Sequence, residues 1–129
     1  MGLKVYLCGN EMVEADNMPY KILNFLRGGL PQIEFLAFDP TENFPDEDPI
    51  YIIDTVLGAD KVVVLGGEDL ERFENAPHVS AHDADLAFHL KWLKKMGRLP
   101  RVVIFGVPEK GDVEKIAGEV ISNLGADQF

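Results

Sequence analysis

Four short runs, built mostly from Val, Ile, Leu and Phe, recur along the chain at Leu3–Leu7, Ile33–Phe38, Lys61–Leu65 and Val102–Gly106. Their apolar character is nearly continuous, which is the pattern of strands covered on both faces. Between them the apolar positions change to helical spacing. Ile22, Leu23 and Leu26 form one stripe, which Gly28-Gly29 ends. Asp16 or Asn17 is placed to cap that helix, and Pro19 fits its first turn. Leu86, Leu90 and Leu93 form a second stripe, in a helix predicted from the capping-box-like Ser80-Ala81-His82-Asp83 to about Gly97. Val113 to Leu124 forms a third, leaving Gly125 to Phe129 as a frayed tail.

One segment carries conflicting signals. Ile50 to Leu57 is rich in β-branched residues, which favour a strand. Asp48-Pro49 reads as an N-cap and first helical position, however, and Gly58 as a stop. These signals predict a short, mostly buried helix. Before it lies an acidic, proline-punctuated loop from Asp39 to Asp48, and Leu70 to Glu74 reads as a short edge strand or a turn. Strands alternating with helices predict an α/β fold. The expected architecture is a single domain over residues 1–129, a three-layer α/β/α sandwich around a mostly parallel sheet of four to five strands.

Composition narrows the function. With 129 residues, 47% of them apolar, the chain can bury a core. It has no apolar run of the roughly 18 residues that a membrane helix needs. Its start reads as a first strand and not as a signal peptide. A single cysteine, Cys8, cannot form an internal disulfide, so a reducing cytoplasm is expected. The net charge is −10, which argues against nucleic-acid binding. Up to Asp60, eleven carboxylates face only Lys4, Lys21 and Arg27, while Lys91, Lys94, Lys95, Arg98 and Arg101 cluster later. Such asymmetry suits a cationic partner, and equally it keeps the protein soluble.

The candidate chemistry gathers after the first strand. Gly9-Asn10 opens a turn that holds Glu11, Glu14 and Asp16 with no Lys or Arg nearby in sequence. In an α/β sheet that turn lies at a carboxyl end, where ligands bind. The same carboxylates also suit an ordinary solvated turn. His82, in the first turn of its predicted helix, is a candidate metal ligand with Asp85 on the same face, or else a solvated helix-start residue. His89 lies about 10 Å further along and cannot share an ion with it. His78 falls in a loop. Gly66-Gly67-Glu68-Asp69 follows the run at Lys61–Leu65, expected at the same sheet edge as Asn10 to Asp16. No Walker lysine, dinucleotide fingerprint or nucleophile elbow is present.

In combination these pieces resemble the nickel–iron hydrogenase maturation peptidases, in a short archaeal-type branch. The resemblance spans most of the chain. It rests on Gly9-Asn10 followed after four residues by Ala15-Asp16-Asn17, on Val79-Ser80-Ala81-His82 opening a helix, and on Gly97-Arg98-Leu99-Pro100 with Gly106-Val107-Pro108-Glu109 around the last strand. It implies an endopeptidase that removes a C-terminal extension from the hydrogenase large-subunit precursor after nickel insertion. Family members bind metal through two carboxylates and a histidine. Asp16 matches the first carboxylate and His82 the histidine. The second carboxylate closes the family's third strand. In the strand predicted third here that position reads Leu65-Gly66, so Glu68 or Asp69 is expected to stand in. Nickel, as the substrate's own ion, or zinc or another divalent ion suits such ligands. The missing acid favours a second hypothesis, a non-catalytic homologue that binds the precursor or its nickel as an assembly checkpoint. A peptidyl-tRNA-hydrolase-like enzyme also carries an early Gly-Asn, but the acidic balance counts against it.

Overall fold

The computed structural model describes residues 3–8, 17–37, 49–56, 59–66, 95, 97 and 101–128. Five strands are present among them: β1 (Leu3–Leu7), β2 (Ile33–Ala37), β3 (Ile50–Val56), β4 (Val63–Gly66) and β5 (Val102–Pro108). They form one sheet in the order β2-β1-β3-β5-β4. β1, β2, β3 and β5 run parallel, and β4 alone is antiparallel, against β5. The described helices are α1 (Met18–Lys21), α2 (Leu23–Gly29) and α3 (Val113–Gln128).

Side chains alternate between the faces of each strand, and both faces are buried. Val5, Leu7, Tyr51, Ile53, Phe105 and Val107 point to one face, where they meet Met18, Ile22 and Leu26 and, from α3, Ile116, Val120 and Leu124. Tyr51 and Phe105 stack there with ring centroids 6.4 Å apart. Tyr6, Cys8, Ile50, Ile52, Val102 and Ile104 form a second cluster on the opposite face. A sheet buried on both sides explains why β1, β3 and β5 read as nearly continuous apolar runs. The α/β fold with a mostly parallel sheet expected from the alternation of runs is the one observed, and the described helices α1, α2 and α3 cover one of its faces.

Three expectations need correction. Ile50–Val56 is a strand, the central one, and not a helix. An eight-residue helix of this composition has no polar face to turn to solvent, whereas a central parallel strand needs none. The cap and stop residues at its ends also serve a strand bounded by turns. The predicted third strand is therefore β4, the fourth in the sequence. Its direction follows from the short link between Val56 and Val63, since a parallel partner requires a crossover of about a dozen residues or more. Finally, α3 runs to Gln128, so 125–128 are helical and not a frayed tail.

The first helix is broken at Ile22, whose φ of −86° and ψ of −7° join α1 to α2. Lys95 is helical and Gly97 has a φ of +70°, the left-handed conformation that ends a helix without strain at glycine. The remainder of the helix predicted from Ser80, the loop at 39–48 and the segment Leu70 to Glu74 lie outside the described residues.

Two contacts fix α3. Asp112 is its N-cap: Oδ1 accepts from the N–H groups of Glu114 at 3.1 Å and Lys115 at 3.3 Å, and its carbonyl accepts from Ile116 at 2.9 Å. Two of the orphan donors of a helix start thus approach its side chain, while its carbonyl accepts the first intrahelical bond. Asp112→Ala should lower the stability of the fold by about 1 kcal/mol, read as a reduced urea midpoint with unchanged slope. Further along, Glu119 Oε2 accepts the N–H of Val62 at 3.0 Å, which ties the approach to β4 onto the helix.

Candidate functional site

The sheet order creates a crevice. After β1 the chain goes outward to β2. After β3 it goes the other way, to β4 and β5. Where successive connections diverge like this, the carboxyl ends of the two strands are left open to a ligand. The switch point lies between β1 and β3, and their register places Leu7 beside Ile53. The ladder continues for one more bond, from the N–H of Cys8 to the carbonyl of Ile53 at 2.9 Å.

Asp54 comes next on β3. It is fully buried (0% exposed) and is the one charged residue in its strand. By strand parity it shares the face of Ile50 and Ile52, with Cys8 near it on β1 and Gly106 paired to it on β5. Its Oδ1 accepts the N–H of Thr55 at 2.8 Å. Burying a carboxylate costs several kcal/mol unless partners compensate for the lost water. Every other position of β3 carries Ile, Tyr, Thr or Val. Packing alone would have been served by another valine, which makes the acid the candidate for chemistry at this strand end. Ionised, it is an acceptor only, with two oxygens able to bind a cation.

The opposite end of β4 is arranged differently. Because β4 is antiparallel, Val63 lies beside Gly106 at the carboxyl edge and Gly66 beside Val103 near the start of β5. Gly66 therefore sits at the opposite edge of the sheet from Asp54. This corrects the expectation for Gly66, which does not stand at the edge reached by β1; Gly67, Glu68 and Asp69 lie outside the described residues.

Asn17 occupies the N-cap position of α1, but its side chain makes no capping bond to that helix. The first turn is held by its carbonyl, which accepts from Tyr20 at 3.0 Å and Lys21 at 3.1 Å. Asp16, His82, Glu68 and Asp69 lie outside the described residues, as do Glu11, Glu14, His78, Asp85 and His89. Among the described residues no three His, Cys, Asp or Glu side chains come together as a metal site. Cys8 is buried and in no disulfide, and a buried thiol does not suit a nucleophile. No helix among the described residues is long and apolar enough to cross a membrane.

Asp54 is the residue that sequence reasoning missed. A signal was present: a lone acid at the end of Ile-Tyr-Ile-Ile, in a run too β-branched for a helix. Once Ile50–Val56 is counted as the third strand, the carboxylate sought at Leu65-Gly66 is found at Asp54.

Solved structures resemble this one over nearly its whole length. The [NiFe] hydrogenase maturation protease HybD from Thermococcus kodakarensis aligns with a TM-score of 0.65 and 22% identity, covering 97% of both chains. The hydrogenase maturating endopeptidase HybD from E. coli aligns at 0.68 and 20%, covering 99% of this chain and 94% of that one. The solution structure of an endopeptidase from Escherichia coli aligns at 0.71 and 18%, covering 96% and 90%. At these identities the likeness establishes the fold. No curated protein matches the chain by sequence. A family model described as hydrogenase maturation protease, however, matches residues 6–124, and the chain belongs to that family.

Proposed function

We propose that this member of the family removes the C-terminal extension of a nickel–iron hydrogenase large-subunit precursor after nickel insertion, and that Asp54 acts beside Asp16 and His82. The observation that carries this reading is the buried carboxylate at the switch point of the sheet. Membership of the family supplies the reaction class, hydrolysis of a peptide bond during hydrogenase maturation. The proposed donor set is two carboxylates and one imidazole. Its oxygen and nitrogen ligands suit the precursor's nickel, and equally zinc or another resident divalent ion.

Each residue has a defined task in this reading. Asp54 presents a carboxylate whose orientation is fixed by the Thr55 N–H. Asp16 stands just before the N-cap residue of α1, on the chain that leaves β1, and supplies the second carboxylate. His82 supplies a neutral imidazole. A divalent ion held there provides Lewis acidity toward the scissile carbonyl or toward water. With Cys8 buried, the hydrolysis is assigned to water and not to an acyl-enzyme. A single buried thiol also suits the reducing cytoplasm in which we place the reaction. The short archaeal-type branch remains our assignment within the family.

The checkpoint hypothesis drew its support from an absent carboxylate, and Asp54 removes that support. Incubating the protein with nickel-loaded and nickel-free precursor separates the two readings. The expected result is shortening of the nickel-loaded precursor only. Binding of that precursor without shortening would make the protein a checkpoint and defeat the peptidase reading.

A further inference from the structure

Cys8 is the only cysteine in the chain, and it is fully buried. The ladder between β1 and β3 fixes its neighbour. Leu7 lies beside Ile53, and the bond from the Cys8 N–H to the Ile53 carbonyl carries the pairing one residue further. The next row of the sheet is therefore Cys8 beside Asp54. Residues in one row of a parallel ladder leave the sheet on the same face. Cys8 packs with Ile50 and Ile52, on the face to which Asp54 belongs by parity. Adjacent strands lie about 4.8 Å apart, so the thiol and the carboxylate rise side by side.

A buried cysteine alone is an ordinary small apolar residue. Asp54 is the independent observation that changes its meaning. It is a carboxylate with 0% exposure, in a strand otherwise free of charge. Bonds of roughly 2.0–2.2 Å from a metal to a carboxylate oxygen, and roughly 2.3 Å to sulfur, let two neighbouring side chains meet on one ion. We propose that Cys8 is a further metal ligand beside Asp54, its sulfur joining the carboxylate on one cation. A sulfur donor gives the site a preference for thiophilic ions such as nickel, cobalt or zinc over magnesium or manganese. As the sulfur–metal bond forms, the thiol gives its proton to water. The proposal rests on the reading of Asp54 as a cation ligand and adds a donor of another class to it.

The test titrates cobalt(II) alone into the whole chain, reduced and purified without an affinity tag, and follows absorption. A thiolate-to-cobalt charge-transfer band in the near ultraviolet can come only from Cys8, the single thiol. The band should grow with cobalt and saturate at one ion per chain. Cys8→Ser should lose the band. Its affinity for cobalt and nickel should fall about 10–100-fold, with magnesium affinity unchanged. Cys8→Val should behave likewise, and it keeps the comparison readable if serine unsettles the fold. Cobalt binding without the band, no cobalt binding at all, or equal nickel affinity in wild type and both variants would overturn the proposal. Shortening of nickel-loaded precursor is scored separately. A protein that shows the band but leaves the precursor uncut keeps Cys8 as a ligand and loses the peptidase reading. One that shortens the precursor without showing the band loses Cys8 alone.

Discussion

Asp54→Asn is expected to reduce shortening of nickel-loaded precursor by well over a hundredfold while leaving the protein folded. The substitution changes one atom type. Asparagine keeps the shape of the side chain and still offers Oδ1 to the Thr55 N–H, the bond that holds it in the structure. What it loses is the negative charge, and with it most of its value to a cation. Loss of a group that merely supports a metal ligand typically costs about 10–100-fold, so loss of a ligand should exceed that range. Stability should move in the other direction or not at all. A fully buried carboxylate is expensive to desolvate, and the neutral amide is less so. The expected pair of results is thus a melting temperature at or above that of wild type with processing abolished. Gel mobility of the precursor and a thermal melt on the same preparation suffice to read it. Wild-type processing by Asp54→Asn would remove Asp54 from the site.

Most of the fold was legible because most of it obeys one rule per segment. β1 and β5 are short, mostly apolar runs, the pattern of strands buried on both faces, and β2 keeps its apolar residues Ile33 and Phe35 on the buried face. α3 has a helical stripe and an aspartate in the right place to cap it. β3 was not legible because two local rules disagreed there. Pro49 and Gly58 are start and stop residues for a helix and are also turn residues flanking a strand. What decides between these readings is the tertiary environment, burial on both faces between β1 and β5, which the local sequence does not encode. That one misreading displaced the site. It made β4 the third strand, set its direction wrongly, and moved the search for the second carboxylate to Gly66, at the far edge of the sheet. Asp16 and His82, which lie outside the described residues, were nominated by a different route, the order and spacing of several weak motifs. Pattern reasoning is blind to a residue such as Asp54, whose meaning depends on which strands flank it.

The same strand end constrains its neighbour on β5. Gly106 pairs with Asp54 in the register, and Val63 of β4 lies on its other side. A Cβ added at Gly106 would stand 2.6 Å from Val56 Cγ2 and 3.0 Å from Val63 Cγ2. Both neighbours are β-branched, so neither can swing aside without leaving its preferred rotamer. Glycine is therefore what allows β3 and β4 to close over β5 at the carboxyl edge. Gly106→Val adds three carbons where one does not fit. Overpacking of this kind costs roughly 1–3 kcal/mol when the surroundings can give a little. Two stiff neighbours on adjacent strands place this case at or beyond the top of that range. Denaturant unfolding should show a stability loss of about 3 kcal/mol or more, with Gly106→Ala intermediate. The relief, if the strands part, is taken beside Asp54, so processing by the folded fraction should fall as well. A Gly106→Val protein with wild-type stability would mean that β4 moves freely against β5. In that case the Val62 to Glu119 bond, and not close packing over Gly106, would be what holds the edge strand in place.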